Sequence, residues 1–392
     1  MKFHDVAVLG VGMTRFRSHR GRSVSELARE AGLAALADAG IGFGEVGEAF
    51  TGYIDGGAML GVRAMKEFGL TGLPVTHVEN ASATGLVAFR DAAWAVSSGR
   101  CDVAMAIGFD KMTEMMMQSS SAEARGFGRD RIDSVILPAA YFALWAVRRM
   151  HERGTQPWHY AAIAAKNWNH GARNPLSHRQ PDHAVTAEEV LASPPVAEPL
   201  TAMMACPVSD GAACAILARS DLARKLHPGR PLVVALASAL QSERYTPGHT
   251  FLGPVVGPAT MTRDTARQAY DDAGIGPDDV DLAFCHDAFA NEELEYYELL
   301  GFCRDGEAEK LVEEGATSLG GRIPFNSDGG LIARGHPGGP TGLAQVHEIA
   351  LQLRGEAGAR QVEGAKVGLT HATGGGISGF DHGACSIHIF QR

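Results

Sequence analysis

The sequence predicts an α/β fold made of two halves of like architecture, each a β-α-β-α-β unit whose sheet is covered by helices. Segments of the first half recur in the same order in the second, the strand-like runs are continuously apolar as buried strands require, and the chain is large enough to enclose such a core. With 392 residues, 45% hydrophobic and 20% charged, it fits one large or two medium domains.

The elements follow in order. Val6-Ala7-Val8-Leu9-Gly10 enters at once as a strand. Ala35-Leu36-Ala37-Asp38-Ala39-Gly40-Ile41 ends an Ala-rich helix at a Gly suited to a C-cap, and Glu45-Val46 and Ala49-Phe50 lead into the next strand. The same series returns as Ala269-Tyr270-Asp271-Asp272-Ala273-Gly274-Ile275, then Asp279-Val280 and Ala283-Phe284. A second pair is Ala83-Thr84-Gly85-Leu86 against Pro340-Thr341-Gly342-Leu343, each opening an apolar helix. Gly99-Arg100-Cys101-Asp102-Val103 against Gly364-Ala365-Lys366-Val367 is the third, a turn entering a buried strand. Between the first half's third strand and Ser209 lies an insertion of about a hundred residues, longer than a passive loop in a compact domain. It carries Met112, Met115, Met116 and Met117 near its start, then Trp158, His159, Trp168, His170 and His178. The expected division is residues 1–115 with 205–245, an insertion over 116–204, and a second half over 246–392.

A net charge of −10 provides no basic field for nucleic acid or an anionic membrane. The six cysteines, at 101, 206, 214, 285, 303 and 385, show neither CxxC pairs nor zinc-finger spacing and read as small buried hydrophobes. No basic leader, long apolar run or peroxisomal tripeptide is read at the ends, so a cytoplasmic protein is expected.

Residues 80–85 read Asn-Ala-Ser-Ala-Thr-Gly directly before the helix-like run Leu86 to Val96, which sets Ser82 at a helix N-terminus. Ser there is a preferred cap. It is equally a candidate nucleophile or oxyanion anchor, since the helix dipole and free N–H groups favour developing negative charge.

Four ordered blocks weigh on that choice. Pro324-Phe325-Asn326-Ser327-Asp328-Gly329-Gly330 runs into Arg334-Gly335-His336-Pro337-Gly338-Gly339-Pro340-Thr341-Gly342, which resembles the Gly-His-Pro block of the thiolase superfamily. Cys285-His286-Asp287-Ala288-Phe289 is similar to the His-Asp-Cys-Phe block of the sterol-carrier-protein type. Pro207-Val208-Ser209-Asp210-Gly211-Ala212-Ala213 and His371-Ala372-Thr373-Gly374-Gly375-Gly376 resemble two more of its segments, and Asn167 to Pro175 resembles a stretch read as structural.

The resemblance implies a duplicated five-layer αβαβα fold with a large loop insertion that holds CoA and the acyl tail. In that family the residue at Ser82 is a nucleophilic Cys, and a second Cys stands at Ala288; the other branch keeps its acid/base Cys in the last turn, where this chain has His371. The carry-over makes His286 and His336 the contacts to a thioester oxygen and the groups that help ionise the nucleophile. His371 is open between a catalytic and a structural role. Gly374 and Gly375 are candidate oxyanion donors, and Met112, Met115 and Asn326 candidate substrate contacts. Tyr296 and Tyr297 lie on a charged helical pattern and read as packing residues.

Three functions follow. The first is a thiolase-like acyltransferase that cleaves or forms a C–C bond β to a CoA thioester through acyl-Ser82, with His336 or His371 as the base that a hydroxyl needs. The second is a non-covalent retro-aldolase on a β-hydroxyacyl-CoA, as in thiolase-like steroid side-chain aldolases, although those resemble the family with Tyr where His336 stands. The third is a silent acyl-CoA-binding or scaffold subunit. No covalently bound cofactor or metal is expected, the CoA thioester being substrate. The resemblance further implies a homodimer and allows a small zinc-ribbon/OB-fold companion.

Overall fold

The computed structural model describes residues 3, 5–54, 56–114, 138–242, 261–375 and 383–392. Its strands are β1 (Val6–Met13), β2 (Glu48–Gly52), β3 (Val75–Val78), β4 (Val103–Lys111), β5 (Pro195–Ala197), β6 (Leu200–Thr201), β7 (Asp210–Arg219), β8 (Val234–Ser242), β9 (Leu282–Phe284), β10 (Val367–Gly374) and β11 (Ala384–Gln391). Nine of them run in the order β3-β2-β4-β7-β1-β8-β11-β10-β9, and β5 pairs with β6 apart from them. The long row is two half-sheets, because β1 meets β8 at the single pair Ala7↔Val234.

The duplication read in the sequence is present as topology. In the first half β1 is antiparallel to β7, β7 to β4, and β4 parallel to β2. In the second β8 is antiparallel to β11, β11 to β10, and β10 parallel to β9. Even β3, parallel to β2, has its counterpart in a parallel bridge between Ala283 and Phe325. The repeated Gly residues do what their position requires: Gly40 and Gly274, at φ 67° and 74°, take the left-handed conformation after helices Val24–Ala39 and Met261–Ala273.

Five layers result, as an α/β thiolase-like fold demands. Helix Val24–Ala39 packs Leu27 and Leu36 on Met105, Ile107 and Phe109 of the first half-sheet. Helices Thr84–Ser97 and Thr341–Arg354 lie between the half-sheets, in a core joining Phe50, Leu86 and Phe89 with Phe284, Leu343 and Phe390. Helix Met261–Ala273 and the insertion cover the remaining face.

Over its described residues, 138–204, the insertion is less loop-like than its length suggests. Residues 138–204 form helices Pro138–Arg153, Pro157–Ala172 and Ala187–Ala192, whose Trp145, Tyr160 and Val190 are buried in the second half's outer core. The aromatic and Ala residues there follow helical spacing, so they pack instead of lining a strap. None of the six cysteines is in a disulfide; Cys214, Cys285 and Cys385 are buried and the other three partly so. Among the described residues no helix is long and apolar enough to cross a membrane.

Candidate active site

The two central helices begin side by side. A Cβ on Gly85 would lie 2.6 Å from the Gly339 carbonyl, and one on Gly342 2.6 Å from Leu86 Cγ, so the two helix N-termini converge where only glycine lets their backbones touch. Asp110, at the end of β4, locks the junction by accepting the Gly339 N–H at 2.5 Å. Two positive helix ends therefore face one place.

Ser82 sits there, and it is not the cap. Helix Thr84–Ser97 starts from Ala83, which makes no side-chain capping bond, while Ala81 at φ 47° turns the chain just ahead of it. The Ser82 hydroxyl instead meets His336 Nε2 at 2.9 Å, 254 residues away in sequence. Proton bookkeeping orients this pair. The single Thr341 hydroxyl proton goes to the Pro337 carbonyl at 2.6 Å, so Thr341 Oγ1 must accept from His336 Nδ1 at 2.8 Å. Nε2 is then the bare nitrogen, and Ser82 donates to it. Burial, with His286 nearby, pushes the His336 imidazole down to about 3, so it is neutral at physiological pH. Ser82 and His336 are both partly exposed, as residues meant to meet a ligand must be.

His286 stands edge-on to His336, with ring centroids 5.3 Å apart. It is buried, and its Nδ1 lies 3.1 Å from the Glu292 carboxylate. That carboxylate also accepts the Tyr296 hydroxyl at 3.2 Å and the Phe289 N–H at 3.2 Å. Beneath it, Asp287 accepts the Leu331 N–H at 2.6 Å and Asn167 Nδ2 at 2.9 Å, tying the His286 loop to the short helix Gly330–Arg334 that precedes His336. Burial and neighbouring Glu293 hold the Asp287 carboxyl well above its ordinary range. For Glu293 burial acts in the same upward direction, but the Lys166 ammonium together with the hydrogen bonds from Tyr297 and Asn167 outweighs it and keeps that carboxyl low.

The other sequence candidates fall into four positions. His371, buried in β10, uses Nδ1 to accept the His286 backbone N–H at 3.4 Å and packs its ring on Tyr296 with centroids 4.3 Å apart. The imidazole on Ser82 is His336. Gly374 passes so close to the Asn80 carbonyl that no Cβ fits, which brings the last Gly-rich turn against the Ser82 loop, and Gly375 continues it at φ 36°. Asn326 is buried at φ 49°; its carboxamide accepts the Cys285 N–H at 3.1 Å and donates to Glu293 at 2.9 Å, so it shapes the strand end before His286. Met112 follows β4 and is partly buried, while Met115 lies outside the described residues.

Sequence reasoning missed Glu292 and Thr341 as partners of the two imidazoles. Thr341 was signalled by its repeat mate Thr84; Glu292, inside an acidic helical run, looked like a solvated face. Tyr296 and Tyr297 do pack, but their hydroxyls also bond Glu292 and Glu293.

A duplicated five-layer α/β fold with a serine and two histidines at the joined N-termini of its central helices has the architecture of a thiolase. The family described as "Thiolase, N-terminal domain" matches residues 6–221, and "Thiolase C-terminal domain-like" matches 255–382. Sterol carrier protein 2 of Homo sapiens is 37% identical over 408 residues, spanning 98% of this chain and 74% of its own. An acetyl-CoA acetyltransferase of Methanothermobacter thermautotrophicus is 36% identical over 394 residues, covering 99% of this chain and all (100%) of its own. Among solved structures, the Ltp2-ChsH2(DUF35) aldolase superposes with a TM-score of 0.81 at 25% identity, over 99% of this chain and 97% of that one. The chain belongs to the thiolase superfamily, and within it to the sterol-carrier-protein type.

Proposed function

We propose that this protein is a thiolase-type acyltransferase that cleaves or forms the C–C bond β to a CoA thioester by way of an acyl ester on Ser82. The observation that carries this is the hydrogen-bonded chain Ser82–His336–Thr341, which gives a hydroxyl the adjacent base that it needs. In the cleavage direction the Ser82 oxygen attacks the β-keto carbon of a β-ketoacyl-CoA and its proton passes to His336 Nε2. The Cα–Cβ bond then breaks, its electron pair going to the enolate of the shortened CoA thioester. His286, held by Glu292, donates the proton that this enolate takes up. A CoA thiol next attacks the acyl ester, its proton passing to His286 to replace the one given to the enolate, Ser82 leaves with the proton from His336, and the acyl group departs as its own CoA ester. Backbone N–H groups at Gly374 and Gly375, with the two helix N-termini, stabilise the oxyanions.

The insertion over 116–204, with Met112 and Met115 at its threshold, is the element we assign to the acyl-CoA tail, and the halves over 1–115 with 205–245 and over 246–392 are the catalytic frame. Likeness to a solved aldolase complex supports a second reading, in which His286 and His336 stabilise the enolate of a retro-aldol cleavage, Ser82 stays unacylated, and a companion subunit is engaged. Turnover of acetoacetyl-CoA with free CoA by Ser82→Ala and Ser82→Cys separates the two. Loss in Ser82→Ala and recovery in Ser82→Cys support acyl transfer; undiminished turnover in Ser82→Ala overturns it.

A further inference from the structure

Among the described residues every buried arginine is matched to an acid, while the half-buried Arg179 is not. Arg149 is held by Glu295, Glu298 and Glu309, Arg334 by Asp328, Arg354 by Asp38, and Arg360 by Glu348. Arg179 has no acid partner among the described residues. Its guanidinium carbon sits over Trp168, 4.6 Å from the ring centroid, and Nη1 donates to the carbonyls of Ala205 at 2.7 Å and Ile332 at 2.8 Å. Nε and Nη2 have no acceptor among the described residues, yet they are not sealed from solvent. Burial lowers this guanidinium to about 10, the Cys206 thiol being the sole neighbour that opposes the shift. A charge held this way, preorganised and uncompensated, costs stability unless something else balances it.

Its location says what that is. Ala205 bridges to Phe289, the Cys206 N–H donates to the Ala288 carbonyl at 2.8 Å, and Val208 bridges to His336. The Arg179 backbone is itself bonded to Ala333, three residues before His336. Arg179 is thus fixed against the segment 205–208, which runs between the His286 loop and the His336 loop. Its open edge, one Nε–H beside one Nη2–H, is the fork that matches two oxygens of one anion.

We infer that Arg179 is an oxyanion receptor of the substrate site, binding either a carboxylate carried by the acyl group or a phosphate of the CoA moiety. This rests on the acyl-CoA reading above but not on acylation of Ser82, and the test is therefore made by binding. In a Ser82→Ala background, dissociation constants of the full chain are measured calorimetrically at low salt for succinyl-CoA, butyryl-CoA and S-butyryl-N-acetylcysteamine, with Arg179 intact, Arg179→Met and Arg179→Lys. Methionine keeps an apolar stem on Trp168, and lysine restores the charge without the fork.

Loss of about tenfold or more for succinyl-CoA alone in Arg179→Met assigns the acyl carboxylate. The same loss for both CoA esters, with the phosphate-free thioester unaffected, assigns the CoA phosphate. Partial recovery in Arg179→Lys accompanies either. Unchanged affinity for both CoA esters overturns the inference, and so does an equal loss for all three ligands, the mark of a merely structural arginine. Failure of the parent to bind any CoA ester overturns the acyl-CoA reading together with it.

Discussion

The turn that opens helix Thr84–Ser97 and the turn that opens helix Thr341–Arg354 are the same turn, built twice and put to different uses. Both helices are 14 residues long, both start on Thr, and both expose a Gly next to it so that the other can approach. In the first half the Thr84 hydroxyl accepts the Asn80 N–H at 2.8 Å and closes the turn on itself. In the second the equivalent Thr341 hydroxyl accepts from His336 Nδ1 and fixes a tautomer. One half supplies a hydroxyl, the other an imidazole aimed at it. Duplication made the geometry, and single residues on it made the chemistry.

The halves diverge again after their parallel strands. Beyond β2 stands the short helix Leu60–Met65, while beyond β9 stands Ala290–Leu299, whose Glu292 and Glu293 are fully buried. Acids that orient His286 and pair with Lys166 thus belong to the second half alone. In the proposed reaction the first half carries the attacking hydroxyl, and the second carries the groups that move protons.

The comparison breaks most completely at His336. His336→Ala, which strips Ser82 of its base, is expected to lower kcat on acetoacetyl-CoA by about 10³-fold, and a loss below tenfold in a steady-state assay would end the Ser–His assignment. Glu292→Gln keeps the shape of the acid while removing the charge that holds His286; kcat falls by roughly 10- to 100-fold with KM nearly constant. The repeat mates give the sharpest contrast. Thr341→Val lowers kcat by about tenfold by releasing the His336 tautomer, whereas Thr84→Val leaves kcat within about twofold and costs about 1 kcal/mol of stability in denaturant unfolding. Equal kinetic effects at both positions would show that the two turns were not functionally distinct.

The smallest effect is on stability. Burial pushes His336 and His388 down to about 3, and His170 and His347 down to about 4. Each folded pKa lies below its unfolded value of about 6.5, so below that pH the unfolded chain binds more protons. The contribution of these neutral imidazoles is complete above pH 6.5 and is lost as pH falls toward 4. Tm should drop by several degrees between about pH 7 and pH 5, and less in His388→Asn than in the parent, as differential scanning fluorimetry would read.

Much of this was legible in the sequence because repeated local signals survive without tertiary context. Gly40 and Gly274 mark matching helix ends, and continuous apolar strands mark a covered sheet. Ser82 and His336 are legible through the blocks that contain them. Glu292 is not, since Asn-Glu-Glu-Leu-Glu spells a solvated helix until His286 and Lys166 are folded against it. Nor is Arg179 noticeable, because an arginine without an acid is recognised only once its surroundings are assembled. Helices in 138–204 were hidden by the insertion's length, and the position of His371 behind the His286 backbone depends on a register between β9 and β10 that no single segment encodes.

The central claim is that Ser82 carries the acyl group. Rapid acid quench of the protein mixed with acetoacetyl-CoA in the absence of free CoA, followed by peptide mass spectrometry, tests it directly. An acetyl mass increment on the peptide containing Ser82, absent from Ser82→Ala and from His336→Ala and discharged when CoA is added, is the predicted result. Turnover of the same substrate with Ser82 unmodified at every quench time would contradict the account.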